Sequence, residues 1–219
     1  MQVYIAKDVA DVIALYPYVQ ERSFRALSIR DQISLQAHTL LKAHREGDHR
    51  VAMQVMSWWP HAQRLTAQEI LDAPFNEEDA KLTLSREYGF SNWLAVEALG
   101  DHQTDATFEH ALDLMLAGDN EAIMNALAQT PDLVSARSRY GHAATLLHYL
   151  GSNGVESHRQ VTPLNAAELA NLLISRGAEK NAEANMYGGG QKPYALASTS
   201  AHPKAAGISD ALNQVLRTS

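Results

Sequence analysis

Apolar residues recur at helical spacing along most of the chain. Ile33, Ala37, Leu40 and Leu41, with His44, fall on one face of a helix that Ser28 can cap and Gly47 can end. Asp48 can cap a successor carrying Val51, Ala52, Val55 and Met56 on one side, which stops near Pro60. Thr66 and Glu69 have the spacing of a capping box, in which each side chain satisfies the other residue's backbone N–H. Asn76 opens a further helix with Ala80, Leu84 and Tyr88 inward, closed by Gly89, and Ser91 is placed to cap a short helix bearing Trp93, Val96 and Leu99. After "GDHQTDAT" the pattern restarts. Phe108, Leu112, Met115 and Leu116 stand at i, i+4, i+7 and i+8, an amphipathic stripe. Gly118 ends that helix, Asp119 caps the next, and Ile123, Ala126 and Leu127 face inward before Pro131. No run of strand alternation stands out, and "VYI" at 3 to 5 is too short to carry one. The pattern predicts antiparallel helix pairs over 107–117/119–129 and 144–152/166–176.

Two stretches echo each other. "LLKAHREGDHRVAMQVMSWWP" at 40–60 matches "ALDLMLAGDNEAIMNALAQTP" at 111–131 in its helix, Gly-Asp turn, helix and proline. Gly47-Asp48 aligns with Gly118-Asp119 and Pro60 with Pro131, both at an offset of 71 residues. Repetition of a helical hairpin is the economical reading, because one hairpin cannot bury its own apolar face. Trp58, Trp59 and Trp93 are expected as packing residues, with one of the adjacent pair pointing outward as a candidate interface anchor.

Composition narrows the function classes. The chain has 219 residues, is 46% hydrophobic and carries a formal charge of −7. Neither half is basic, which argues against a nucleic-acid surface. With no cysteine in the chain, disulfides, thiolate metal sites and a cysteine nucleophile are excluded. The first residues do not read as a signal peptide, and no apolar stretch approaches membrane-spanning length. These features point to a cytoplasmic protein that contacts no membrane.

The segment "TLLHYLGSNG" at 145–154 and the later "LANLLISRGAEKNA" at 169–182 carry a more specific signal. They resemble the ankyrin repeat, roughly T-P-L-H-x-A-A-x-x-G followed by a helix ending L-L-L-x-x-G-A-D-V-N-A. Leu146 stands where the proline would be, and Leu172, Leu173, Gly177, Ala178, Asn181 and Ala182 match. "VESHRQVTPLNAAE" separates the two segments and is longer than the repeat allows, so it reads as an insertion. "TPLNAA" at 162–167 could also open the repeat, but too few residues would remain for its first helix, so Thr145 is taken as the start. A further degenerate repeat follows, aligning 170–176 with 213–219 at an offset of 43. With "REYGFSNW" at 86–93, "YGGG" and "TSAHP", the chain resembles a subgroup of bacterial ankyrin-repeat domain proteins over most of 30–219. The resemblance implies an all-α fold of stacked helical hairpins: residues 1–100 as an N-terminal helical region capping residues 104–219 as an ankyrin-like repeat solenoid. It brings no activity, so no catalytic residues are carried over.

In that frame His148, at the T-x-L-H position, is expected to be structural, bonded to backbone. Arg137, Arg139, Tyr140 and His142 depart from the Asp-Gly loop usual before the threonine and bring two cations and two amphipathic rings to a loop edge. If Arg139 were buried instead, it would need a carboxylate such as Glu156 or Glu168. The leading functional reading is a non-enzymatic module for protein–protein interaction with an unidentified protein partner. Its surface would use the loops at 137–142 and 185–192, with Arg137, Arg139, Tyr140, His142, Tyr149 and Tyr187 as recognition residues. The alternative is a small-molecule or peptide pocket, enzymatic or not, lined by the 137–142 loop, the 156–164 insertion, the glycine loop and the "TSAHP" segment with His202. His142, His148 and His202 lack the carboxylate spacing of a metal site, and His202 lacks an orienting partner for serine-hydrolase chemistry. No cofactor, metal or catalytic set is therefore assigned.

Overall fold

The computed structural model describes residues 2–217 and is mostly helical. It divides into two compact units, one of Lys7–Thr104 and one of Met1–Ala6 with Asp105–Ser219.

The first unit contains α1 (Lys7–Leu15), α2 (Arg22–Arg25), α3 (Ile29–Arg45), α4 (Ala52–Trp58), α5 (Ala67–Asp72), α6 (Glu77–Glu87) and α7 (Trp93–Glu97). Local caps set these boundaries. Ser28 Oγ accepts from Asp31 N at 3.1 Å, and both Thr66–Glu69 and Asn76–Asp79 form reciprocal capping boxes. The last short helix is capped by Asn92, whose Oδ1 accepts from Ala95 N at 3.1 Å, and not by Ser91 as the sequence reading placed it. Helices α3 and α6 pack along their length around Ile33, Leu40 and Leu84. Both Trp58 and Trp59 are buried, which corrects the expectation that one points outward. Trp59 donates its indole N–H to Asp79 Oδ1 at 2.9 Å and meets Phe75 edge-on, so the second ring has an interior place of its own.

The second unit contains α8 (Ala106–Leu116), α9 (Asn120–Gln129), α10 (Leu146–Tyr149), α11 (Ala166–Ser175), α12 (Pro193–Thr199), α13 (Ala201–Ala205) and α14 (Ser209–Leu216). Helices α8 and α9 match the predicted first pair closely. Phe108, Leu112, Met115 and Ile123 are fully buried, each contributing roughly 1.5–3 kcal/mol by leaving water. Helix α8 packs on α10 and α10 on α12, while α9 packs on α11 and α11 on α14. The helix expected over 144–152 is only the four residues of α10. Ser152 takes a positive φ of 46°, which no α-helix accommodates, and Gly151 approaches Leu196 and Ala197 closely. In the alignment of 213–219, Thr218 and Ser219 lie outside the described residues.

The all-α expectation needs one correction. Val3–Tyr4 (β1) pairs antiparallel with Thr162–Pro163 (β2), and Leu164 N–H donates to Gln2 O at 3.1 Å. Two-residue strands leave no alternation to read in the sequence. Thr162-Pro163 is thus strand, while Thr145 caps α10.

Two turns hold the unit together. Gly118 has φ +75°, and a Cβ there would lie 2.9 Å from Asn165 Oδ1, so only glycine lets Asn165 Nδ2 reach Gly118 O at 2.9 Å and tie the α8–α9 turn to the start of α11. The second tie is His148, fully buried. Its Nε2 faces two carbonyls, Ala182 O and Gln191 O, each at 3.1 Å. Carbonyls only accept, so Nε2 carries the proton and Nδ1 accepts from Thr145 N at 3.1 Å and Thr145 Oγ1 at 2.8 Å. Burial holds the imidazole down to about 4, so it is neutral at pH 7.

His148→Ala is expected to cost on the order of 1–3 kcal/mol at pH 7, read by urea unfolding, because it strands buried backbone carbonyls. The folded-state value lies below the free value of 6.5, so the unfolded chain binds the extra proton and wild-type stability falls as pH drops from 6.5 towards 4. The gap between wild type and variant should narrow over that window. An unchanged gap would show that the ring is not held neutral.

Candidate functional site

Residues 137–143 run from the end of the α9 hairpin to Thr145, and residues 183–191 form a hairpin whose base is the Ala184–Gln191 bridge. The two loops are stitched side by side. Arg137 Nη1 donates to Ala143 O at 2.8 Å and to Glu183 O at 2.7 Å. Asn185 N donates to His142 O at 2.8 Å, and Asn185 Nδ2 reaches Gly141 O at 3.3 Å. Arg137 is therefore exposed but fixed. Arg139 is also exposed, and it pairs with Asp105 Oδ2 at 3.2 Å. Glu168 Oε2 accepts from Asn120 Nδ2 at 3.1 Å. Tyr187 stands at the hairpin tip, 57% exposed with φ +50°, and donates its hydroxyl to Asn153 Oδ1 at 2.6 Å. Gly154 lies beneath it with φ +72°, where a Cβ would come within 3.0 Å of the Tyr187 ring. His202 is half-buried at the first turn of α13, with its backbone N–H on Ser200 Oγ at 3.3 Å.

The other three sequence-predicted residues turn inward. Tyr140, His142 and Tyr149 are buried, with His142 in ring contact with both tyrosines at 5.9 Å. The loop composition that suggested a surface patch thus serves the surface with its arginines and the interior with its rings.

Around His142 lies a set of charges that the sequence reading did not single out. Residues 155 to 160, read as part of an insertion, are buried throughout. They deliver Glu156 and Arg159 to the same place as Glu109 of α8. Arg159 Nη2 pairs with Glu109 Oε2 at 2.6 Å, and the more exposed Asp113 Oδ1 is 3.8 Å away. Tyr149 donates its hydroxyl to Glu156 Oε1 at 3.2 Å, and His142 Nε2 lies 3.5 Å from Glu156 Oε2. His142 Nδ1 accepts from Ala144 N at 3.1 Å, which leaves the ring proton on Nε2, aimed at Glu156.

The two buried carboxylates are tuned in opposite directions. Burial alone would raise Glu156, but His142 and Arg159 outweigh it and hold the acid down to about 2. For Glu109 burial wins over the attraction of Arg159, helped by repulsion from Glu156 and Asp113, and the acid is raised. Burial works against the Arg159 charge, yet Glu109 and Glu156 keep it firmly protonated. One signal in the sequence could have exposed Glu109. It lies three and seven residues before Leu112 and Leu116, on the apolar stripe of α8.

The first unit offers an open groove of about 580 Å³ on α3 and α6, lined among others by His38, Lys42, Arg45 and Lys81. Its lysines are compensated, Lys81 by Glu77 at 2.7 Å and Lys42 by Glu46 at 3.9 Å. Among the described residues no group of three or more histidines and carboxylates is arranged to hold a metal ion, and no helix is long and apolar enough to cross a membrane. No family model, curated protein or solved structure matches this chain.

Glu156→Gln should destabilise the protein at neutral pH by about 3 kcal/mol, the equivalent of lowering an acid from 4.5 to about 2 at about 1.4 kcal/mol per pH unit. That contribution is present above pH 4.5 and is lost as pH falls towards 2. Glu109 has the opposite sign. Its raised value favours folding below pH 4.5, and that stability fades as pH rises through the folded value. Glu109→Gln should therefore flatten a decline in stability above pH 4.5. Denaturant midpoints across a pH series check both, and identical pH profiles for the two variants would contradict the assignment.

Proposed function

We propose that the unit running from Asp105 onward is a non-enzymatic protein-interaction module built on ankyrin-like helical hairpins, recognising a protein partner along the loop edge at 137–142 and 185–192. The observation that carries this reading is the stitching of the two loops. Arg137 and Asn185 join them through backbone carbonyls into one edge, and a rigid edge loses little conformational entropy on binding. That edge presents Arg139 and Tyr187, residue types that dominate binding energy at interfaces. Two further features support the repeat architecture. The helices form two rows, α8–α10–α12 and α9–α11–α14, and His148 spends both ring nitrogens on Thr145 and on later loops, the scaffold role that its motif implies.

Tyr187→Ala and Arg139→Ala are expected to weaken binding at least tenfold each while leaving the melting temperature nearly unchanged. The Arg139–Asp105 pair is exposed, and such pairs contribute about 0–1 kcal/mol. A photo-crosslinking residue at position 187, with one at the exposed Met124 of α9 as control, would capture the partner from the native host for purification and titration. Equal capture at both positions, or wild-type affinity of both variants for the purified partner, would refute the proposed edge.

A further inference from the structure

The charge cluster in the second unit is unfinished as a set of hydrogen bonds. Five of its buried polar atoms make no hydrogen bond within the protein: His142 Nε2, Glu156 Oε2, Glu109 Oε1, Arg159 Nε and Arg159 Nη1. Glu109 is 4% and Arg159 6% exposed, and His142 and Glu156 are fully buried. Buried polar groups without partners are rare in folded proteins, and those on ionised side chains are the costliest. The chemistry of the five atoms decides what completes them. Three are N–H donors, because Ala144 N–H occupies His142 Nδ1 and a guanidinium can only donate. Two are carboxylate oxygens, which can only accept when ionised. A cation would meet three hydrogen-bond donors and an anion would meet two carboxylates. A small neutral molecule that donates and accepts satisfies both kinds.

We propose that Glu109, His142, Glu156 and Arg159 form an internal hydration site that binds about three ordered water molecules. One water bridges His142 Nε2 and Glu156 Oε2. Their 3.5 Å separation lets a single oxygen sit at a normal hydrogen-bond distance from each. The second accepts from Arg159 Nε–H, on the same side of the guanidinium as the Nη2 that pairs with Glu109, and donates to Glu109 Oε1; Arg159 Nη1 points the other way and takes a third. The water is part of how segment 155–160 stays inside: it links the His142 loop, that segment and α8, three elements that the side chains alone leave partly unjoined.

The test is heteronuclear NMR on the intact wild-type protein. Water-selective NOE and ROE experiments should show cross-peaks of opposite sign in the two spectra, the mark of dipolar contact with long-lived bound water rather than of proton exchange, at the Arg159 Nε–H and the His142 Nε2–H. Their absence at both protons would overturn the proposal. In a double variant, Glu109→Leu with Arg159→Met, which removes the second water's partners, the His142 cross-peak should persist. Its loss from a folded double variant would overturn the separate placement of the first water. If the double variant does not fold, the wild-type spectrum decides alone. A parallel titration with sodium, potassium or ammonium chloride at constant ionic strength should leave the Arg159 and His142 resonances in place. A saturable shift with one cation would replace the water assignment with a cation site.

Discussion

The second unit hangs on one imidazole. His148 lies in a four-residue helix that could not persist by itself, since so short a helix barely repays its own nucleation. Its ring gathers the N–H and hydroxyl of Thr145 on one side and the carbonyls of Ala182 and Gln191 on the other. Segments 34 and 43 residues further along are thereby anchored to the start of α10, and the base of the 184–191 hairpin is set. The arrangement works only for a neutral ring with its proton on Nε2, and burial enforces that state.

Once the hairpin is fixed, the rest of the loop edge follows. Arg137 and Asn185 close the gap between neighbouring loops, and His142 turns inward because its own carbonyl is engaged by Asn185 and its Nδ1 by Ala144. Inside, it meets Glu156, delivered by a segment that is itself buried throughout. That segment carries an arginine that needs Glu109 of an earlier helix to enter the interior with it.

What could be read from the sequence was local. Ser28, Thr66, Asn76 and Asp119 cap helices through contacts within three residues, so their spacing alone identified them. His148 was legible because its partners belong to a motif. Ser91 failed against Asn92 since adjacent residues of the same capping class cannot be ranked by pattern. The interior cluster was not legible for a different reason. Glu109 and Arg159 are 50 residues apart and each looks like an ordinary surface charge until the fold brings them to 2.6 Å. Likewise a histidine and a tyrosine in a loop signal recognition and interior packing equally well, and only burial separated Tyr140 and His142 from Arg139 and Tyr187.

The pairing of Val3–Tyr4 with Thr162–Pro163 makes the second unit discontinuous in sequence, with the whole of Lys7–Thr104 spliced between its first strand and its remainder. Closing that contact joins residues 160 positions apart, a late event for any chain made from its N-terminus. A chain cut before Asp105 would leave the backbone of 162–164 without its partner. Such a bare edge accepts a strand from any source. Val3 and Tyr4 therefore complete the unit only after the chain has been made as far as residue 164.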